Sequence, residues 1–169
     1  NLRRAVSIVE AAGGPDHPNL GLELMNLGRA LLASEDFTGA RECLDRALDN
    51  QERNKGPDHP DLAYTLLAYG RLLLETGDLD GARDRLERAI PILARAFGPE
   101  HLDISRISYT LAYVEYEAGN VKRAQRHFER ALESNRKLFG PGHRSLVGPL
   151  FGLACLSARS GDKESALAR

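Results

Sequence analysis

Four histidines recur at a fixed interval and are the first candidates for chemistry. They stand 42 residues apart, at His17, His59, His101 and His143. Imidazole is both a common metal ligand and a general base. Zinc needs its ligands at about 2 Å, whereas residues two packed helices apart lie on the order of 20 Å from one another. No cysteine or carboxylate cluster completes a site at any one histidine. We therefore expect each histidine to bond its own loop, and we expect neither a metal nor a cofactor.

The other nucleophiles and acids form no catalytic motif. Cys43 and Cys155 have no histidine nearby in the sequence, and Cys43 adjoins the apolar Leu44, as a buried inert cysteine does. Acidic and basic residues fall at three- and four-residue spacings, which are typical of a solvated helix face. The sequence contains no phosphate-binding Gly-rich loop, no His-Glu-x-x-His pair and no Gly-x-Ser-x-Gly elbow. We therefore expect no enzymatic activity.

Composition argues against two classes of partner. The chain carries 23 Lys and Arg against 24 Asp and Glu, a formal net charge of −1, so neither nucleic acid nor a membrane surface is favoured. Its apolar runs are only a few residues long, which predicts no transmembrane helix. The two cysteines belong to different repeats of the pattern described below. We therefore expect no disulfide and a reducing, cytoplasmic location.

The histidines lie in Gly-Pro stretches that separate helical patterns. The glycines of these stretches also stand 42 residues apart, at Gly14, Gly56, Gly98 and Gly140. A fixed period of this size indicates a repeat architecture. Glycine accepts the left-handed conformation that ends many helices, and proline prevents the helix from continuing. After Gly56 we expect Asp58 to accept the unpaired N–H groups of the following helix.

Two amphipathic segments lie between successive Gly-Pro stretches. Apolar residues recur at three- and four-residue steps from Pro60 to Thr76 and again from Leu79 to Phe97, with a short turn at Gly77-Asp78 between them. Each unit is therefore predicted to be helix, turn, helix. One repeat position begins every second helix, and we expect its residues to act as N-caps: Asp36, Asp78, Asn120 and Asp162.

Small residues also keep a fixed repeat position. In the first helices these are Gly28, Gly70, Ala112 and Ala154, and in the second helices Ala40, Ala82, Ala124 and Ala166. Large residues that alternate with Gly or Ala let two helices approach closely. In the later repeats Glu115 and Ser157 replace the leucines Leu31 and Leu73, which predicts looser packing there.

This pattern resembles the tetratricopeptide repeat. The small residue of the first helix, the alanine early in the second, the large residue four positions later and the alanine three after that all match the family's motif. The usual period of the family is about 34 residues. The longer period here, with Arg46-Ala47-Leu48 or Arg88-Ala89-Ile90 followed by two further turns and a Gly-Pro stretch, is similar to the kinesin-light-chain subtype. The resemblance covers essentially the whole chain. It implies an all-α, right-handed α-solenoid of stacked antiparallel helix pairs.

The repeat positions divide the chain into a single array. We expect a half-repeat at residues 1–13, full repeats at 18–55, 60–97 and 102–139, and a truncated repeat at 144–169. We interpret the sequence as part of a longer array, because both ends interrupt a repeat. Pro149 lies early in the last first helix, which is therefore expected to start late or bend. Uncapped apolar faces at the two ends predict end-to-end self-association.

The first helices of such arrays line a concave binding face, and the resemblance implies that a peptide segment binds there. Candidate contacts are Asn26, Arg29, Tyr64, Arg71, Arg106, Tyr109, Tyr113 and Tyr116. Tyrosine and arginine are enriched where interface energy concentrates. Asn26 matches an asparagine by which the subtype bonds a peptide backbone. The alternative is that the tyrosines fill a leucine-poor core, since aromatic residues at helical spacing often do so.

These observations predict a non-catalytic scaffold that binds a protein or peptide segment. The alternative is a regulatory or sensor array within a larger signalling protein, beside a nucleotide-switch ATPase, a protease or a transcription regulator. An autonomous enzyme is the third possibility, and no motif with catalytic mechanics supports it.

Overall fold

A computed structural model describes the backbone of residues 1–167 and the side chains of residues 1–159. Throughout that part of the chain the regular secondary structure is helical. Eight α-helices follow one another: α1 (Leu2–Gly13), α2 (Leu20–Ala33), α3 (Phe37–Lys55), α4 (Pro60–Glu75), α5 (Leu79–Phe97), α6 (Leu102–Glu117), α7 (Val121–Phe139) and α8 (Val147–Leu167). None of these helices, as far as they are described, has the length and apolarity to span a bilayer.

The helices form two compact units. Unit 1 comprises residues 1–96 and unit 2 comprises residues 97–169. In unit 1, α2 packs against α1, α3 and α4, and α3 also packs against α4. In unit 2, α7 packs against α6 and α8, and α6 also contacts α8. In unit 1, α2 is therefore held both by its own second helix, α3, and by the preceding helix, α1.

Close approach of paired helices depends on the glycines of the first helices. A Cβ atom at Gly28 would lie 2.9 Å from Cγ of Leu44, and one at Gly70 would lie 2.5 Å from Cγ of Leu86. Both leucines are fully buried. Each therefore occupies the space that a side chain on the facing helix would need, which places large residues against small ones as the repeat pattern predicts. Ala166, the last alanine of the predicted series, lies outside the described side chains.

The Gly-Pro stretches end one helix and begin the next. Gly56 has a φ of 85°, in the left-handed region that favours glycine. The N-cap of α4 is His59, whose Nδ1 accepts a hydrogen bond from the backbone N–H of Asp61 at 3.2 Å. The prediction that Asp58 caps this helix is wrong, because the Asp58 carboxylate instead pairs with Arg95 at 2.8 Å.

The other histidines repeat this arrangement. The Nδ1 atoms of His17, His101 and His143 each accept a hydrogen bond from the backbone N–H two residues later, at 3.2 to 3.3 Å. His101 and His143 also stack on the last aromatic residue of the preceding helix, Phe97 and Phe139, with ring centroids 4.7 and 4.4 Å apart. The prediction that each histidine bonds its own loop is confirmed.

The predicted caps of the second helices are only partly observed. The carboxylates of Asp36 and Asp78 each accept the backbone N–H three residues later, at 2.9 and 3.0 Å. Asn120 occupies the N-cap position of α7 as predicted, but its side chain makes no capping bond, because its Nδ2 donates to Oε2 of Glu115 at 2.6 Å. At Asp162 the predicted turn is not formed, because α8 continues through this position as one helix. The Asp162 side chain lies outside the described residues.

The last first helix starts late, as Pro149 predicts. A short 3-10 helix, Arg144–Leu146, occupies the positions at which α6 is already α-helical, and α8 begins only at Val147. Proline lacks an N–H group and is tolerated in the first turn of a helix. This late start places Pro149 at the third position of α8, where no helical hydrogen bond is lost.

Candidate peptide-binding surface

Four candidate residues lie on the two neighbouring first helices of unit 1. Asn26 and Arg29 belong to α2, and Tyr64 and Arg71 belong to α4, which contacts α2. Arg29 and Arg71 occupy the same repeat position, directly after the small glycines, and both are exposed. Asn26 and Tyr64 are half-buried. The repeat thus brings two guanidinium groups to equivalent places on adjacent helices.

Within the described part of the chain, no ion pair or hydrogen bond joins the side chain of Arg29 or Arg71 to another residue. Many arginines of the second helices are paired: Arg46 with Glu10, Arg53 with Asp16, Arg88 with Glu52 and Arg95 with Asp58. These pairs tie the second helices to preceding parts of the chain. The guanidinium groups of Arg29 and Arg71 are therefore available to an external carboxylate, which they can bind in a bidentate manner.

Arg106 differs from the two arginines of unit 1. Its Nη1 donates to Oδ1 of Asp103 at 2.8 Å, one turn earlier on α6. Arg106 stands at the repeat position of Tyr64, not at that of Arg71. A ligand that bound Arg106 would compete with this intrahelical carboxylate.

Tyr109 and Tyr113 belong to an aromatic cluster of unit 2. Their rings contact each other edge to face at a centroid distance of 5.0 Å, and their hydroxyl oxygens are 3.2 Å apart. Both rings also contact the fully buried Phe128 of α7, at 6.0 and 5.3 Å. A Cβ atom at Gly148 of α8 would lie 2.7 Å from the Tyr109 hydroxyl oxygen. The two tyrosines therefore contribute to packing among α6, α7 and α8, and a part of each remains exposed.

The environment of Tyr113 favours the neutral phenol. Burial raises the pKa of Tyr113 well above its ordinary value, and the hydrogen bond with Tyr109 raises it further. Tyr113 therefore stays protonated at neutral pH and offers a ligand a phenol rather than a phenolate.

Tyr116 lies at the end of α6 and is covered by a cation. The Arg159 guanidinium of α8 stands 5.0 Å from the ring centroid, and its Nη1 donates to the Tyr116 carbonyl oxygen at 3.2 Å. This contact is the kind of cation–π pair that links two helices. Tyr116 is half-buried. The partner-binding role of all eight candidate residues stays a prediction.

Sequence analysis missed a polar cluster around Tyr69. The Tyr69 ring is buried, at 4% exposure, and its hydroxyl donates to Oδ1 of Asp45 at 2.6 Å. The guanidiniums of Arg41 and Arg85 stand 5.8 and 5.2 Å from the ring centroid. Burial, and then the hydrogen bond to Asp45, raise the pKa of Tyr69 above its ordinary value. One feature of the sequence could have indicated this cluster. Arg41 and Asp45 are four residues apart, a spacing that places both side chains on the same face of a helix.

The titratable residues of the described region do not converge on a metal site. No group of three or more His, Cys, Asp or Glu side chains there is suited to hold an ion. The repeated histidines use Nδ1 as an acceptor within their own turns, which leaves that nitrogen unavailable as a ligand. Cys43 and Cys155 are half-buried free thiols, and burial raises the pKa of Cys43.

The model of one protein family matches most of the chain. It is described as the tetratricopeptide repeat, and it matches residues 22–95, 77–136 and 103–169. The chain belongs to the tetratricopeptide repeat family. Tetratricopeptide repeats are protein-interaction modules, so the family assigns the chain to that broad functional class. Among curated proteins, none matches the sequence at a significant level.

Solved structures share the fold at low sequence identity. A protein from Podosopora anserina, described as a kinesin light chain with nearly identical TPR-like repeats, is 22% identical and superposes with a TM-score of 0.76 over 99% of this chain and 79% of that chain. BtubC (BKLC) from P. vanneervenii is also 22% identical, with a TM-score of 0.72 over 85% of this chain and 58% of that chain. The predicted all-α solenoid of kinesin-light-chain type is therefore confirmed at the level of the fold.

Proposed function

We propose that this chain is a protein-interaction scaffold that binds an extended acidic peptide segment along its first helices, the face that is concave in such arrays. The observation that carries the proposal is the pair Arg29 and Arg71. They are equivalent, exposed and without a described partner, on two first helices that contact each other. A charge-assisted hydrogen bond to an ionised group contributes about 1.5–3 kcal/mol, more than a neutral one.

The spacing of the helices defines the ligand further. Packed helices lie about 8–10 Å apart. A polyproline II segment rises about 3.1 Å per residue with three residues per turn, so side chains three positions apart lie about 9 Å apart on one face. A segment with two carboxylates in an acid-x-x-acid pattern therefore suits the two guanidiniums. Asn26 stands beside Arg29 and can bond the peptide backbone between them, and Tyr64 offers an apolar ring with a polar tip.

We assign the candidate residues of unit 2 to a weaker contact within that unit. Arg106 is engaged by Asp103, and Tyr109 and Tyr113 already pack on Phe128. Their exposed portions can lie under an apolar part of a peptide, which is how tyrosine commonly contributes at interfaces. Tyr116 would act in the same way beside Arg159.

The proposal is tested with labelled peptides in fluorescence anisotropy. The peptides are proline-rich and carry two glutamates separated by zero to five residues. We expect the tightest binding at the Glu-x-x-Glu spacing. We expect Arg29→Gln together with Arg71→Gln to weaken binding by more than about tenfold, because each lost charge-assisted bond contributes about 1.5–3 kcal/mol.

A matched control removes the same charge elsewhere. Arg4 and Arg136 are exposed, lie on second helices and have no ion pair within the described residues. Arg4→Gln together with Arg136→Gln should leave peptide binding within about twofold of the unchanged chain. Equal losses in both double variants, or binding that ignores glutamate spacing, would show that net charge alone attracts the peptides. Circular dichroism verifies that helicity is unchanged.

A further inference from the structure

One face of α7 carries a row of unpaired cations. We call it the α7 basic stripe, and it consists of Lys122, Arg126 and Arg130. These residues stand four positions apart, a spacing that places them along one face of a helix. All three are exposed, and among the described residues no ion pair or hydrogen bond joins their side chains to another residue. A helix rises about 1.5 Å per residue, so the three charges form a row about 12 Å long.

The other complete second helices have no such row. At the repeat positions of Lys122 and Arg126 they carry neutral or acidic residues, namely Thr38 and Glu42 in α3 and Asp80 and Asp84 in α5. These four residues are exposed, although further repeats precede and follow both helices. The exposure of this face is therefore a property of the repeat position and does not depend on what lies beyond α7. As a whole, α7 carries six Lys and Arg against two Glu, whereas α3 carries four basic residues against four acidic ones.

Arg130 lacks the carboxylate that its repeat position has in unit 1. The arginines at that position each pair with the glutamate that stands 36 residues earlier: Arg46 with Glu10 and Arg88 with Glu52. The residue 36 positions before Arg130 is Ala94. Alanine cannot neutralise a guanidinium group, so the charge of Arg130 adds to those of Lys122 and Arg126.

The α7 basic stripe is electrostatically unfavourable for the chain on its own. Lys122 lies in the first turn of α7, which contains no acidic residue. The N-terminus of a helix carries a partial positive charge, so a cation is disfavoured there, and like charges four residues apart also repel each other. In α5 the same position holds Asp80, which has the favourable sign. The stability of α7 therefore does not account for these cations, whereas an anionic partner would offset both effects.

We propose that the α7 basic stripe binds an acidic α-helix of a partner protein, with carboxylates at positions i, i+4 and i+8. Consecutive carboxylates on such a helix are about 6 Å apart, which is also the interval between the cations of the stripe. When the two helices lie side by side, each carboxylate therefore meets one cation, and the two arginines can bind theirs in a bidentate manner. This surface lies on a second helix, so it is independent of the first-helix surface proposed above for an extended peptide.

A nucleic acid suits the stripe less well than an acidic helix does. Glu129 and Glu133 are also exposed on α7, and each follows a cation of the stripe by three residues. A phosphate backbone carries a charge at every nucleotide and is repelled by these carboxylates, whereas a helix can present its acids to the cations alone. Phe128, which lies between the cations in the sequence, is fully buried and cannot stack on a base.

The proposal is tested with two labelled peptides in fluorescence anisotropy, each held helical by a covalent staple between side chains. The first peptide carries glutamates at i, i+4 and i+8 in an alanine-rich background. The second has the same composition, but its three glutamates are spread around the helix. We expect the first peptide to bind at least about fivefold more tightly, and we expect its binding to weaken as the salt concentration rises, because exposed charges are screened.

A double variant separates binding from folding. Lys122→Asp together with Arg126→Glu gives α7 the charges that α5 carries at these positions. We expect it to weaken binding of the first peptide more than about tenfold without lowering the urea midpoint, since an acid in the first turn favours the helix. The matched control is Arg29→Gln together with Arg71→Gln, which also alters two exposed cations and should bind this peptide within about twofold of the unchanged chain. A peptide with lysines in place of the glutamates should bind the double variant more tightly than the unchanged chain.

Four results would each overturn the proposal. The first is equal binding of the two glutamate peptides, and the second is unchanged binding of the first peptide by the double variant. The third is an equal loss in the matched control, which would show that net charge alone attracts the peptide. The fourth is tighter binding of a 20-nucleotide RNA or DNA probe, of about the length of two helical turns, that the double variant abolishes. That result would assign the α7 basic stripe to nucleic acid instead.

Discussion

The contact between Gly70 and Leu86 offers a direct test of how the helix pairs are held together. A Cβ atom at Gly70 would lie 2.5 Å from Cγ and 2.7 Å from Cδ2 of Leu86, which is fully buried. Carbon atoms in favourable contact are about 3.5–4.0 Å apart. The substitution Gly70→Ala therefore forces an overlap of about 1 Å, in a core where Leu86 has no free space to enter.

The expected size follows from two opposing effects. Alanine in place of glycine inside a helix stabilises by about 0.5–1 kcal/mol, and overpacking a core costs about 1–3 kcal/mol. We expect Gly70→Ala to lower the free energy of unfolding by about 1 kcal/mol. Leu86→Ala alone should cost about 2–5 kcal/mol, as it leaves a cavity. In that background Gly70→Ala removes no packing, so it should become stabilising by about 0.5–1 kcal/mol.

Urea unfolding followed by circular dichroism measures the free energy of unfolding of the unchanged chain, the two single variants and the double variant. The four values are compared at an equal dependence on urea concentration. Gly28→Ala should cost less, because its Cβ would lie 2.9 Å from Leu44 Cγ. Gly142→Ala is the control, as nothing lies within 4 Å of a Cβ there. If Gly70→Ala stabilised the unchanged chain, Leu86 would be free to move aside. The close-packing explanation of the repeat glycines would then be wrong.

Two further predictions concern the caps and the buried phenols. His59→Ala should lower the free energy of unfolding by about 1 kcal/mol because it removes the acceptor of the Asp61 N–H. His59→Asn should retain most of the stability, since asparagine is a good N-cap. Equal losses for the two variants in urea unfolding would contradict the capping role of His59. The raised pKa values of Tyr69 and Tyr113 mean that the unfolded chain loses these protons first, near pH 10, so stability should be fully present below about pH 10 and should fall above it. Replacing both tyrosines with phenylalanine should reduce this loss of stability, measured as the urea midpoint at a series of pH values above about 10. An unchanged loss in the double variant would show that other groups cause it.

The helix boundaries could be predicted because the rules that set them are local. Gly56 and His59 act within a few residues of their own positions, so the sequence shows where one helix ends and the next begins. The Asp36 and Asp78 caps follow the same logic, since each carboxylate bonds a backbone N–H three residues later. Repetition made these predictions stronger, because the same interval recurs at the boundaries of α2 to α7; it fails at Asp162, where α8 continues as one helix.

The sequence locates the candidate surface, but it does not show which of its residues are free to contact a ligand. The repeat position of Arg29 and Arg71 is visible in the sequence, whereas their lack of an ion pair among the described residues depends on where other helices place their acids. Tyr69 shows the same limit. It stands at a position that is leucine in the other repeats and its ring is buried, yet its hydroxyl donates to Asp45 on α3, a partner 24 residues away. Side-chain pairing across helices requires the tertiary structure.

The Asn120 side chain makes no capping bond for a reason that links two departures from the repeat. Glu115 stands where α2 and α4 have leucine, and its side chain is 1% exposed. A carboxylate in such a place must be supplied with hydrogen-bond donors, because burying it without them costs several kcal/mol. The Asn120 amide donates to it at 2.6 Å, and the Arg123 guanidinium stands 3.7 Å away. The side chain of asparagine, unlike that of the aspartate in the other repeats, has N–H groups that can donate a hydrogen bond. The glutamate at this leucine position is thus matched by an asparagine at the cap, which supplies a donor that the aspartate of the other repeats could not.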